Sequence, residues 1–405
     1  MGNALISRRG GGYATVKFEN YSPDAIPTQS IASSLGTGRS NLAATTVGNY
    51  ALFGGGTSSG WGAGVTTVDT YNSSLTRSTA TDLNQKRYDL AATTVGNYAL
   101  FGGGYNGSSG FSDVDAYNKS LTKSTPTALS QGRSHLAATS VGNYALFGGG
   151  LSYHTPEYNQ TACYSTVDAY NSSLTRSTPT ALSEARYSPA ATTVGNYALF
   201  GGGYNSSSNS SSSTVDAYNS SLTRSTPTAL SEARYSLAAT TVGNYALFGG
   251  GYDSSVVDAY NSSLTRSTAT ELSVARSLLS ATTVGNYALF GGGYNNNYLS
   301  KVDAYNYSLT RSTVDSLSTA RYQLATTTVG DYALFGGGYF GSDTRAYTVD
   351  AYKNVNADMQ ATVFKGSKYK FQNMTEESTV TSNIETISVP TPVTGYIKFK
   401  NTTIS

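Results

Sequence analysis

Side chains that carry out catalysis are scarce in this chain of 405 residues. It contains two histidines, His135 and His154, and a single cysteine, Cys163. His154 lies close in sequence to Glu157 and Cys163, and a histidine beside a cysteine is the arrangement that activates a thiol nucleophile. Such a pair is conceivable here, but two histidines on separate features offer little else for catalysis. One cysteine also excludes an intrachain disulfide and a cysteine-based zinc site. We therefore predict no catalytic residue, no metal site and no cofactor.

Acidic and basic side chains recur at regular positions instead of clustering. One aspartate stands in each of seven repeats: Asp69, Asp115, Asp168, Asp216, Asp258, Asp303 and Asp350. A basic residue follows in six of them: Arg77, Lys123, Arg176, Arg224, Arg266 and Arg311. A calcium site needs several oxygen ligands at one point, which one aspartate per repeat does not supply. We expect cross-strand pairs, each contributing well under about 1 kcal/mol if exposed.

An arginine opens each repeat: Arg39, Arg87, Arg133, Arg186, Arg234, Arg276 and Arg321. We expect these arginines to be structural, because binding rarely needs the same residue in every repeat.

The segments that differ between repeats are the candidates for a binding surface. Every repeat contains Ala-Leu-Phe-Gly-Gly-Gly and later Val-Asp-x-Tyr, with a variable segment between them. These segments are 57–67, 105–113, 151–166, 204–214, 252–256, 294–301 and 339–348. They are rich in Tyr, Ser, Asn and Gly, the residues that antibody combining sites favour. The candidate ligand-binding residues in them are Trp61, Tyr105, Tyr153, His154, Tyr158, Tyr204, Tyr252, Tyr294, Tyr298 and Tyr339. The alternative is that exposed polar loops have simply drifted in sequence.

The repeat itself predicts the elements that hold these segments. In the copy that opens at Arg234, small and β-branched residues over 236–242 indicate a strand, and Gly243-Asn244 indicates a tight hairpin turn. Further strands are expected over 245–248, 257–260 and 265–272. Seven units of four strands predict an all-β protein, a seven-bladed β-propeller of four-stranded antiparallel blades.

The order of these residues resembles the kelch family of β-propellers over about residues 39–364. The shared features are an aliphatic strand that ends in glycines, a following Tyr, and an Arg that opens the next unit. The family's usual Trp is replaced by the basic residues named above. We expect Leu75, Leu174 and Leu222, with the stem of the basic residue, to fill the gap.

The resemblance also points to a central pocket. In kelch proteins that bind peptides, the positions two residues after the opening arginine line its mouth. Asn41, Asp89, His135 and Gln323 are therefore further ligand-binding candidates, in a set that also holds Ser188, Ser236 and Leu278. The alternative is that this set only satisfies buried backbone near the axis.

The two ends of the chain, 1–38 and 365–405, lie outside the repeats and share a motif of their own. Lys-Phe-x-Asn occurs at 17–20, 370–373 and 398–401. One hypothesis is that both ends form a small β accessory module; the other is that one segment completes the last blade and the rest are loose tails. Residues 26–34 are a candidate for the outer strand that closes the seventh blade.

Composition narrows the class of function. Charged residues make up 12% of the chain and the net charge is +2, so no strong field points to nucleic acid or a membrane surface. We find no recognisable signal peptide and no apolar run of membrane-spanning length, so membrane insertion is not expected. Residues 1–11 look like the starts of prophage and phage structural proteins of Gram-positive bacteria.

We predict a non-enzymatic binding protein, a bacteriophage tail or capsid-surface protein. Its diversified loops would recognise a host-surface glycan or protein, at the virion surface or outside the cell. The termini would bind other virion proteins. The alternatives are a kelch scaffold that binds a peptide or protein centrally and a propeller enzyme that acts on sugars.

Overall fold

The computed structural model describes residues 3–8, 13–19, 26–59, 64–152, 162–341, 344–353, 359–363, 369–371 and 385–389. Its regular secondary structure over these residues is entirely β. None of the described residues forms a helix long and apolar enough to cross a membrane. The chain separates into two compact units, Gln29–Lys353 and the two ends Met1–Thr28 with Asn354–Ser405.

The larger unit contains seven four-stranded antiparallel sheets, which confirms the predicted seven-bladed β-propeller. We call the four strands of each blade A to D, in the order in which they pair from the central axis to the outer edge. Strand A of each blade contacts strand A of the next blade, and the seventh contacts the first, so the A strands surround a central axis. The D strands lie at the outer edge of each sheet.

The strand bounds repeat closely from blade to blade. Blade 1 consists of Ala43–Val47, Tyr50–Gly54, Val68–Asn72 and Arg77–Thr79. Blade 2 consists of Ala91–Val95, Tyr98–Gly102, Val114–Asn118 and Lys123–Ser124. Blade 3 consists of Ala137–Val141, Tyr144–Gly148, Val167–Asn171 and Arg176–Ser177. Blade 4 consists of Ala190–Val194, Tyr197–Gly201, Val215–Asn219 and Arg224–Ser225.

Blade 5 consists of Ala238–Val242, Tyr245–Gly249, Val257–Asn261 and Arg266–Thr268. Blade 6 consists of Ser280–Val284, Tyr287–Gly291, Val302–Tyr305 and Arg311–Thr313. Blade 7 consists of Ala325–Val329, Tyr332–Gly336, Val349–Lys353 and, as its strand D, Thr28–Ala32. Three B–C loops add short hairpins: Leu151–Ser152 with Ala162–Cys163, Tyr204–Asn205 with Ser210–Ser211, and Tyr339–Gly341 with Thr344–Arg345.

Strand D is shorter than the sequence predicts. In blade 5 it ends at Thr268, although the pattern extends to residue 272. The reason is that the chain then crosses to the next blade, where the backbone N–H of Ser273 donates to Asp303 at 3.2 Å. The outer edge is therefore held by the connection between blades as well as by strand pairing.

The ring is closed by a strand from the N-terminal side of the repeats. Thr28–Ala32, which falls within the candidate segment 26–34, pairs with Val349–Lys353. The amide of Gln29 donates to the carboxylate of Asp350 at 2.6 Å. A neutral side chain thus occupies, in blade 7, the role that Arg or Lys has in the other six blades.

The hydrophobic core lies between adjacent blades. Between blades 5 and 6, Leu247 and Val257 pack with Phe290 and Tyr305, all of them at most 1% exposed. Each of the seven blade pairs has an equivalent cluster. Burial of this apolar surface is the dominant force that holds one blade against the next.

The leucines expected to replace the kelch tryptophan do lie at these junctions. Leu75, Leu174 and Leu222 are half-buried and pack against the clusters between adjacent blades.

The glycine triplet is explained by two separate requirements. The first glycine must pass close to the next blade: a Cβ atom on Gly249 would lie 2.7 Å from Phe290. The second and third, Gly250 and Gly251, have φ angles of +70° and +122°, which other residues rarely adopt. The N–H of Gly251 then donates to the carbonyl of Arg276 at 2.9 Å, which ties blade 5 to blade 6.

The expected pairs between the aspartate of strand C and the basic residue of strand D are present in six blades, and each of these aspartates also pairs with a buried opening arginine. Each opening arginine is at most 1% exposed and lies 2.6–2.9 Å from the aspartate of strand C in its own blade. In six blades the same aspartate also forms an ion pair, at 2.8–3.4 Å, with the partly exposed basic residue of strand D. The arginines therefore have the structural role expected of them.

The smaller unit is one five-stranded sheet built from both ends of the chain. Its strand order is Tyr369–Phe371, Asn3–Arg8, Tyr13–Glu19, Met359–Val363 and Glu385–Val389. The two N-terminal strands pair with each other, and each also pairs with a C-terminal strand. Two copies of Lys-Phe lie in these strands, whereas the third, at 398–399, lies outside the described residues. The unit boundaries fall at 28/29 and 353/354, whereas the sequence suggests 38/39 and 364/365.

Candidate functional site

The residues two positions after the opening arginines form a ring at one end of the axis. The backbone N–H of each donates to the carbonyl of its counterpart in the preceding blade, and the N–H of Asn41 donates to Gln323, which closes the ring. The donor–acceptor distances are 2.8–3.4 Å. The members are Asn41, Asp89, His135, Ser188, Ser236, Leu278 and Gln323.

All seven ring residues adopt the left-handed backbone conformation, with φ between +48° and +55°. This conformation costs an ordinary residue roughly 1–2 kcal/mol, so the surrounding structure must impose it. The sequence left open whether these positions satisfy buried backbone or line a pocket. In the structure, the hydrogen-bonded ring satisfies the backbone groups of these residues, and the same residues line the cavities at this end of the axis.

A cavity of about 560 Å³ opens beside this ring, at the loops of blades 7, 1 and 2. Its volume is in the range of small-molecule binding sites, roughly 300–1,000 Å³. Six candidate residues from the sequence line it: Asn41, Asp89, His135, Gln323, Tyr105 and Tyr339. Leu278, a member of the same set of seven positions, also lines it. Tyr88, Tyr322 and Arg345 line it as well and were not among the candidates.

Two smaller spaces lie further along the A strands. A space of about 210 Å³ is bounded by the ring and by the leucines that follow it, such as Leu90 and Leu237. Beyond them the axial channel is lined by alanines and threonines, whose hydroxyls bond from blade to blade, as between Thr240 and Thr283 at 2.9 Å. The wide cavity therefore has the most varied set of polar side chains of the three spaces.

The polar floor of the cavity centres on Asp89 and His135. Their side chains approach to 3.5 Å, and Ser134 Oγ lies 3.2 Å from His135 Nδ1. Burial raises the pKa of Asp89, and the positive charge that His135 can carry opposes that rise. Ser134, His135 and Asp89 therefore contact one another in the order of a serine nucleophile, its histidine base and the carboxylate that orients the base. However, Ser134 is fully buried and turned away from solvent.

Tyrosines form the walls of the cavity. Tyr88 and Tyr105 exchange two backbone hydrogen bonds, at 2.8 and 2.9 Å, and their rings meet edge to face at 5.6 Å. Burial raises the pKa of Tyr88 to about 12, with smaller contributions from Asp89 and Tyr105, so its hydroxyl stays protonated and able to donate.

A second wall comes from blade 7, and two tyrosines of blade 6 pack against it. Tyr322 and Tyr339 lie 5.3 Å apart, and Tyr298 lies parallel to Tyr322 at 5.7 Å. Tyr294 also contacts Tyr322, at 5.3 Å. The guanidinium of Arg345, 8% exposed, lies 4.8 Å from the centre of the Tyr339 ring. This wall is therefore aromatic with one cation held against it.

A second group of tyrosines lies on blades 4 and 5, and we call it the tyrosine arc: Tyr187, Tyr204, Tyr235 and Tyr252. Its successive ring centres are 5.5, 5.2 and 5.5 Å apart. Tyr204 and Tyr252 were candidates from the sequence. They lie here and are not among the residues that line the cavity.

Several candidates have other outcomes. Tyr294 and Tyr298 contact the cavity wall without being among its lining residues. Trp61, Tyr153, His154 and Tyr158 lie outside the described residues. The tyrosines that sequence reasoning missed each follow an opening arginine directly, so a recurring Arg-Tyr pair was the available signal: Tyr88, Tyr187, Tyr235 and Tyr322.

Over the part of the chain that the structure describes, there is no group of three or more His, Cys, Asp or Glu side chains suited to holding a metal ion.

Comparison with known proteins supports the fold. No family model matches the chain, and no curated protein matches it. Among solved structures, one titled "Structure of YjhT" superposes with a TM-score of 0.52 at 10% sequence identity, covering 80% of this chain and 99% of that chain. At this identity the likeness shows the fold alone, and the kelch and phage resemblances stay predictions. The molecule is a seven-bladed β-propeller, an architecture that suits a scaffold for binding or for catalysis.

Proposed function

We propose that this protein is a non-enzymatic binding protein of a bacteriophage tail or capsid surface, and that it recognises a host-surface glycan in the tyrosine-lined cavity. The observation that carries this proposal is the composition of the cavity. Aromatic walls meet a floor of fixed polar side chains within one space of about 560 Å³.

Sugars present both kinds of surface that this cavity offers. Their C–H faces pack on aromatic rings, and their hydroxyls need donors and acceptors at defined positions. Asn41 and Gln323 each provide an amide that donates and accepts, and Asp89 provides carboxylate oxygens. These polar groups stand beside the rings of Tyr88 and Tyr322.

The backbone of the site is rigid before any ligand arrives. Asn41, Asp89, His135 and Gln323 are all held by the hydrogen-bonded ring in one left-handed conformation. Preorganisation of this kind lowers the entropy lost on binding. The scaffold thus repeats from blade to blade while its side chains at this position vary, which is the arrangement that a recognition surface needs.

The attachment role is proposed for the five-stranded sheet of the two ends. It is a separate compact unit, and its sequence does not repeat with the blades. The placement on a virion is supported by the resemblance of residues 1–11 to phage structural proteins.

The test is a glycan array and a host-cell binding assay with purified protein and two variants. Gln323→Ala removes a polar group of the cavity and should weaken binding about tenfold, which corresponds to about 1.4 kcal/mol. Ser236→Ala is the matched control, because Ser236 has the same ring position and backbone conformation but does not line the wide cavity. Equal binding by wild type and Gln323→Ala, or binding to protein receptors only, would overturn the glycan proposal.

The virion placement has its own test. Purified phage particles from the host strain should contain this chain when analysed by mass spectrometry. Its absence from intact particles would refute that placement and leave the binding experiment unaffected.

A further inference from the structure

We infer that the ligand is an extended, uncharged oligosaccharide chain, and that the tyrosine arc is a second stretch of binding surface continuous with the cavity. This inference rests on the proposed glycan-binding function and adds a site and a ligand class to it.

The arc begins at the cavity. His135 lines the cavity and meets the ring of Tyr187 edge to face at 6.0 Å. From Tyr187 the contacts run through Tyr204 and Tyr235 to Tyr252, so the rings form one unbroken path across blades 4 and 5. A ligand that leaves the cavity past His135 meets this path directly.

The arc also has a solvent-exposed end. Tyr252 is 59% exposed, and its ring lies within 14° of parallel to that of Tyr235. The other three rings are half-buried. A single sugar ring stacks on one aromatic side chain, whereas four successive tyrosines provide contacts for several units of a chain.

The framework of the propeller does not require these tyrosines. The two positions that Tyr235 and Tyr252 occupy in blade 5 are held by Ser40 and Thr57 in blade 1. Ser40 and Thr57 exchange two backbone hydrogen bonds, at 3.0 and 2.9 Å, and in blade 5 the N–H of Tyr252 donates to the carbonyl of Tyr235 at 3.1 Å. In blade 3 the residues at the same two positions are Ser134 and Leu151. Because blade 1 forms with small residues at these two positions, the tyrosines of the arc call for another role.

The surroundings of the arc exclude polyanions as the occupant. The neighbouring loop, 204–214, contains only Tyr, Asn, Ser and Thr, and the Tyr204 hydroxyl donates to Asn209 at 2.7 Å. Arg186 and Arg234 lie on these blades but are buried in ion pairs with Asp216 and Asp258. Binding of nucleic acid to stacked aromatic rings depends on an exposed basic groove, and the described residues of the arc offer none.

The test uses oligosaccharides of two lengths and two variants. Isothermal titration calorimetry would compare the disaccharides and hexasaccharides of the cello-, malto-, xylo- and chito- series. The arc variant is the double substitution Tyr235→Ser with Tyr252→Thr, which copies blade 1 and so keeps a pair of residues that this fold already accommodates. The cavity variant is Gln323→Ala.

For a series that binds, wild type should bind the hexasaccharide at least about tenfold more tightly than the disaccharide. The arc variant should lose that gain and keep its disaccharide affinity, whereas the cavity variant should weaken both. Equal affinity for both lengths, or a gain that survives in the arc variant, overturns the inference while the cavity proposal stands. If the cavity variant binds as wild type does, or no series binds, the proposed function falls with it.

Discussion

Removal of one buried aspartate should destabilise the propeller far more than removal of the partly exposed arginine that pairs with it. In blade 3, Asp168 accepts from Arg133 at 2.8 Å, from Arg176 at 2.8 Å, and from the N–H and hydroxyl of Ser130 at 3.1 Å. Neither Asp168 nor Arg133 is exposed at all. The substitution Asp168→Asn keeps the shape but removes the charge that balances Arg133.

The magnitude follows from the cost of an unbalanced buried charge. Burial lowers the pKa of Arg133 and Asp168 opposes that shift, so the carboxylate is what keeps the guanidinium charged at little cost. Loss of one partner of a buried pair destabilises a protein by about 3–5 kcal/mol. Arg176, whose side chain is 25% exposed, forms the other pair, and Arg176→Gln should cost about 1 kcal/mol or less.

Blade 4 supplies a matched comparison. There Arg186 pairs with Asp216 at 2.6 Å and also with Glu184 at 3.2 Å. Because Glu184 remains as a counter-charge, Asp216→Asn should cost less than Asp168→Asn.

Urea unfolding of the three variants, followed by circular dichroism, measures these differences at constant m-value. The expected order of destabilisation is Asp168→Asn, then Asp216→Asn, then Arg176→Gln. If Asp168→Asn shifts the midpoint no more than Arg176→Gln does, the buried pair is not the main electrostatic contribution to the stability of the blade.

Two further predictions concern the glycine triplet and the cavity floor. Gly249→Ala places a methyl group 2.7 Å from Phe290 and should lower the free energy of unfolding by about 1–3 kcal/mol, which urea unfolding would detect as a lower midpoint. An unchanged midpoint would show that adjacent blades can move apart at no cost in stability. Burial raises the pKa of Asp89 in the folded state, so the protonated carboxyl favours folding. This contribution to the free energy of unfolding is fully present below the usual pKa of 3.8 and is lost as the pH rises through the raised pKa. Asp89→Asn should therefore unfold at higher urea than wild type near neutral pH and lose this advantage at about pH 3, whereas a constant difference would refute the linkage.

The fold was largely predictable because its information is local and repeated. Alternating small and β-branched residues, a Gly-Asn turn and a glycine triplet recur in each unit, and each feature acts over a few neighbouring residues. The outer strands were predicted too long, since strand propensity does not register that the chain must leave the sheet after Thr268 to reach the next blade.

The candidate site was predictable only in part. The kelch resemblance led to Asn41, Asp89, His135 and Gln323, and all four line the cavity. Tyr88 and other tyrosines that follow the arginines were missed, because they pair with residues beyond the glycine triplet and only the folded blade brings the two strand ends together.

The number of blades, their strand order and the positions at which they differ follow from the repeat alone, since a repeat of this regularity admits few other ways to bury its apolar strands. The folded molecule was needed to show that the opening arginines and the aspartates are buried as pairs, that Thr28–Ala32 closes the ring, and that tyrosines from separate blades form a cavity and an arc. The physical reason is that burial, pairing and cavity shape depend on contacts between residues far apart in sequence, which exist only once the seventh blade has met the first.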